Sequence, residues 1–76
     1  MTPQQYNKAK SIARAFTLQG IERQLSHHKR SLHELDLMAA SIGDRGKRAR
    51  DCARQHHLED IETYAQALQF KIEGTP

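Results

Sequence analysis

Tryptophan is absent from this chain, and cysteine occurs once, at Cys52. A single thiol excludes an internal disulfide framework and the paired-cysteine metal sites. Standing alone, Cys52 reads as a small half-buried residue of a reducing compartment. Aromatic residues number four, Tyr6, Phe16, Tyr64 and Phe70, which is too few for a base-stacking platform. No proline lies between Pro3 and Pro76, so no ring interrupts a helix over that span. No apolar run approaches the ~20 residues of a membrane-spanning helix, and no signal-peptide pattern opens the sequence. The expectation is a cytoplasmic protein.

What is present is polar and charged. Of 76 residues, 28% are charged and only 37% are hydrophobic. That fits a single domain, residues 1–76, whose own core is small and which gains from a partner chain. The formal net charge is +3 and the pI about 9.4. This balance permits contact with nucleic acid or with an acidic protein face, and demands neither.

The stretch from Ile21 to Ile42 carries the clearest pattern. Its apolar positions are Ile21, Leu25, Leu32, Leu35, Ala39 and Ile42, with His28 at the missing step. Alternation of three and four residues is the seam of a helix packed lengthwise on another. Upstream, Thr2-Pro3-Gln4-Gln5 is a helix start: a capping threonine, proline at the first position and glutamine at capping-box spacing. Tyr6, Ala9, Ile12, Ala13 and Phe16 then line one face. The stripe shifts by about one position between Phe16 and Ile21, with Gly20 in between. Because the pattern resumes without a turn cluster, the sequence predicts one long helix over about 3–42, bent at Gly20, roughly 60 Å long.

Gly43-Asp44-Arg45-Gly46 predicts a turn, with Gly43 ending one helix and Asp44 capping the next. A second helix over about 47–73 has its seam at Leu58, Ile61, Ala65, Leu68 and Ile72, and Gly74-Thr75-Pro76 closes it. The expected fold is therefore all-α: a helical hairpin of one long and one shorter helix. The first helix overhangs, and Tyr6, Ile12, Phe16, Ile21 and Leu25 are the expected apolar contacts for a second copy or a target. A homodimer forming a four-helix assembly is the simplest cover.

Little here points to chemistry. Of the five histidines, His33 should lie level with His56 and His57 across the turn, but no metal-binding spacing accompanies them, and adjacent histidines diverge by about 100°. They read as structural or surface residues, with no metal and no cofactor expected. His28, on the seam, makes the core a candidate for sensitivity to protonation. Cys52 and His56 are one turn apart, a spacing common by chance. No residue set assembles a positioned acid, base and nucleophile, so an enzyme is not expected. Arg45, Lys47, Arg48, Arg50 and Arg54 cluster about the turn. The cluster reads as a solvated loop end or as a contact patch for an acidic surface or for phosphates; positive charge at a helix N-terminus opposes the macrodipole, which shifts the balance toward the patch.

In length, helical plan and charge the chain resembles the small all-helical proteins with which bacteriophages and plasmids block a host protein, such as quorum-sensing anti-activators and anti-CRISPR proteins. It is also similar in outline to the plasmid Rop-type hairpin, a four-helix dimer that binds RNA, although the helices of that type are nearly equal in length. Both likenesses cover the whole chain as build, and no motif transfers a functional residue. The first implies non-catalytic sequestration of a host regulatory or defence protein by steric blocking, the second a basic nucleic-acid-binding regulator.

Overall fold

The computed structural model describes residues 1–74. The chain is all-helical, with α1 over Pro3–Ala15, α2 over Leu18–Ile42 and α3 over Lys47–Glu73. Thr2 opens α1 as expected: its side chain accepts the Gln5 N–H, and the Gln5 side chain accepts the Thr2 N–H, both near 3 Å. Thr75 and Pro76, expected to close α3, lie outside the described residues.

The expected single helix over 3–42 is two helices. The break falls at Phe16 and Thr17, not at Gly20. Both residues have extended backbones, with ψ of 148° and 163°. Thr17 caps α2, its hydroxyl accepting the Gly20 N–H at 3.0 Å. Gly20 thus sits in the first turn of α2 and bends nothing. The registry shift between Phe16 and Ile21 marked this corner. Replacing Thr17 with alanine removes the cap, worth about 1 kcal/mol. For a domain of this size the melting temperature should drop by roughly 4–8 °C, as measured by circular dichroism.

The corner sends α1 back along the other two helices, and no overhang remains. A straight helix over 3–42 would be roughly 60 Å long, whereas the longest dimension of the molecule is 44 Å. α1 packs chiefly on α3. The Tyr6 and Phe70 rings meet edge to face at 5.2 Å, and Phe16 and Tyr64 at 6.1 Å. The Lys71 ammonium donates to the Ala13 carbonyl oxygen at 3.0 Å, placing a cation where the α1 dipole is negative. Ala9, Ala13 and Ala67 are buried at the crossing, and their small side chains let the helices approach closely. With Ile12, Ile21, Leu25 and Phe70 they form the core.

α2 and α3 run antiparallel, joined by the turn at 43–46. The buried face of α3 differs from the expected seam. Thr63, Ala67 and Phe70 are buried and Ile61, Tyr64 and Leu68 half-buried, whereas Leu58, Ala65 and Ile72 are exposed. The reason is that α3 serves two neighbours, so its buried sector rotates toward α1. At the turn, Gly43 and Gly46 take φ of 62° and 67°, values that favour glycine. Gly46, not Asp44, is the N-cap of α3, and no side chain caps it. Among the described residues no helix is long and apolar enough to cross a membrane.

Candidate interaction surfaces

The residues expected to contact a second copy or a target are used inside the chain instead. Ile12, Ile21 and Leu25 are buried in the core, and Phe16 packs against it. Tyr6 keeps one side in solvent, under the Lys10 ammonium at 4.8 Å, and lays the other on Phe70.

Two other apolar surfaces are left in solvent. The first is a stripe on α3. At about 100° per residue, Leu58, Ala65 and Ile72 fall within about 40° of one another, on the side of α3 turned away from the residues that meet α1. Ile72 is 71% exposed. Glu62 stands beside Leu58 and Ala65, whereas Glu59 is turned toward the start of α1.

The second lies at the turn end. α1 has 13 residues and α3 has 27, and α1 packs chiefly on α3, so it covers α3 beside α2 only over the open half of the molecule. Toward the turn, Ala49, Cys52 and His56 continue the same sector of α3 and are exposed. Across from them stand half-buried Leu35, Met38 at 49% exposure and Ile42 at 45%. Asp36 marks the opposite face of α2, where it accepts from Arg54 at 3.2 Å, and Met38, two residues on, points away from that face. This half-groove is apolar, floored by small residues and empty of any segment among those described.

The basic cluster is partly consumed by its surroundings. Lys47 binds Asp51 at 2.9 Å. That hydrogen bond holds the Asp51 carboxyl below its ordinary value and raises Lys47. Arg54 pairs with Asp36, and the Arg50 guanidinium donates to the turn carbonyl oxygens of Arg45 and Gly43. Arg45 and Arg48 make no ion pair among the described residues. Of five expected patch residues, these two retain the charge least compensated by a neighbour. No protein family matches the chain, nor does any curated protein or solved structure.

The histidines meet differently from the expected level pairing. His28, not His33, faces His57, with Nδ1 to Nδ1 at 2.9 Å. Level alone misleads here, because His33 lies five residues beyond His28 and about 140° round the helix. The ring centres are 5.1 Å apart, near the largest separation that this nitrogen distance permits, so the two nitrogens point at each other. That is hydrogen-bond geometry, in which one ring donates and the other accepts; it is not two lone pairs converging on an ion. Among the described residues no three His, Cys, Asp or Glu side chains gather as a metal site.

His28 also stacks on Tyr64, with ring centres at 5.7 Å, and has Asp60 at 3.7 Å from Nε2. Desolvation holds its pKa below 6.5, with Asp60 opposing and His57, His27 and Lys8 reinforcing. The unfolded chain then binds more protons than the folded one as pH falls through 6.5, so stability falls with it. We expect a lower melting temperature at pH 5.5 than at 7.5. In His28→Gln that difference should shrink; an undiminished difference would assign the acid sensitivity elsewhere.

Proposed function

We propose that this chain is a non-catalytic protein-binding module, which blocks a regulatory or defence protein of a host by covering one of its faces. The observation that carries this reading is the apolar surface left in solvent on two faces of a thin three-helix fold. Monomers usually keep their apolar surface scattered, and a contiguous apolar face marks a contact. The half-groove at the turn end suits an amphipathic helix. Arg45 and Arg48 at its end would steer an acidic partner. The host-blocking part of the reading rests on the resemblance in build. In this reading the chain works inside the cell and needs no cofactor.

The test is affinity capture from host lysate with nuclease present, using the wild type and Met38→Glu. A single stoichiometric protein, retained at high salt by the wild type and lost from the variant, is the expected result. Recovery of nucleic acid alone, lost steeply as salt rises, would replace this reading with a nucleic-acid regulator built on Arg45, Lys47, Arg48, Arg50 and Arg54.

A further inference from the structure

We propose that the chain self-associates head to tail, the α3 stripe of Leu58, Ala65 and Ile72 on one copy lying in the turn-end half-groove of the next. The inference rests on reading the chain as a protein-binding module and names its first partner as a second copy.

Three observations converge on this pairing. The first is shape. The half-groove lacks a helix, and the stripe belongs to a helix that lacks cover along one side. Its exposed positions, Leu58, Ala65 and Ile72, recur every seven residues, so they stay on one side of the helix over about four turns. The second is size: small Ala49 and Cys52 line the vacant half as Ala67 lines the half that α1 occupies. The third is charge. The turn half of α3 carries Lys47, Arg48, Arg50 and Arg54 against one acid, Asp51. The other half carries Glu59, Asp60, Glu62 and Glu73 against one base, Lys71.

This order opposes the dipole of α3 itself, since bases lie at its positive end and acids toward its negative end. Docking the acidic half of one copy on the basic end of another compensates both. Glu73 would then meet Arg45 or Arg48, the bases of the turn patch that, among the described residues, neither pair with an acid nor donate to the turn carbonyls.

The stripe and the half-groove sit on opposite faces and at opposite ends of the molecule. A contact between them is heterologous, and it leaves each pair of molecules with one free stripe and one free groove. Growth beyond two copies follows, unless the geometry closes into a ring. An isologous dimer would instead stop at two.

Sedimentation across the micromolar range tests this directly. The mass of the wild type should rise with concentration past two copies. Ile72→Glu spoils the stripe and Ile42→Glu spoils the groove, and both positions are exposed, so helix content should be unchanged. Each variant alone should remain a monomer, and their equimolar mixture should form a one-to-one pair and nothing larger. Cys52, the lone thiol, reports on the groove: its alkylation should slow as wild-type concentration rises, and not in Ile72→Glu. A monomeric wild type, a plateau at two copies, an inert mixture of the variants or unchanged Cys52 reactivity would each overturn the proposal. None of these outcomes depends on a host protein, so capture of such a protein by a monomeric wild type would retire this inference and leave the protein-binding reading in place.

Discussion

Replacing Ile21 with alanine should lower the melting temperature by roughly 8–40 °C. Ile21 is fully buried where α1, α2 and α3 meet. Truncating a buried isoleucine to alanine costs about 2–5 kcal/mol, through lost transfer energy and the cavity left behind. Each kcal/mol displaces the transition of a domain this size by roughly 4–8 °C. Among the described residues the buried core is seven side chains with four half-buried ones packed against it, so few can relax into the gap. Leu37, 55% exposed, is the matched control, and Leu37→Ala should change stability by less than about 0.5 kcal/mol. Chemical denaturation of the two variants gives the comparison. Equal, small effects would mean that Ile21 does not hold the three helices together.

Phe70→Ala should be nearly as damaging, at about 3–5 kcal/mol, whereas Ile72→Ala two residues away should change stability by less than about 0.5 kcal/mol. Phe70 is buried and carries the edge contact with Tyr6. It holds α1 in place together with Lys71, which donates to the Ala13 carbonyl oxygen. Amide hydrogen exchange in Phe70→Ala should therefore quicken first over residues 3–15, because α1 is short and a helix of that length is marginal without packing. The two positions separate two pictures of α3. In the seam read from periodicity, Ile72 faces inward and its loss is costly. In the three-helix packing, Phe70 does. A larger loss at Ile72 than at Phe70 would restore the two-helix plan.

The difference between these pictures shows how far the sequence alone reaches. Helix type, the turn at 43–46 and the start of α3 at Lys47 follow from local chemistry: a capping box at Thr2, glycines suited to positive φ and no interior proline. Those signals act between neighbours in the chain, so they survive without knowledge of the fold. The break at Thr17 was also written locally, as a capping hydroxyl where the apolar stripe changes phase. Gly20 drew attention from it because glycine is the commoner helix breaker.

The interaction surfaces were less legible. Leu58, Ala65 and Ile72 have the same periodicity as a core seam, and periodicity cannot tell a buried stripe from an exposed one. The sector of α3 that turns inward was decided by α1 folding back over Ala67 and Phe70, a contact between residues more than fifty apart in sequence. The same contact moved Ile12, Ile21 and Leu25 from expected interface to core, and left half a groove unfilled. His28 found His57 rather than His33 for a similar reason: rotational phase between packed helices, not level along them, chooses the partner. The sequence by itself determined helices, caps and corners, whose energetics reside within a turn or two of backbone. Tertiary structure alone decided which faces are hidden, because burial is set by the third helix and not by any helix's own pattern.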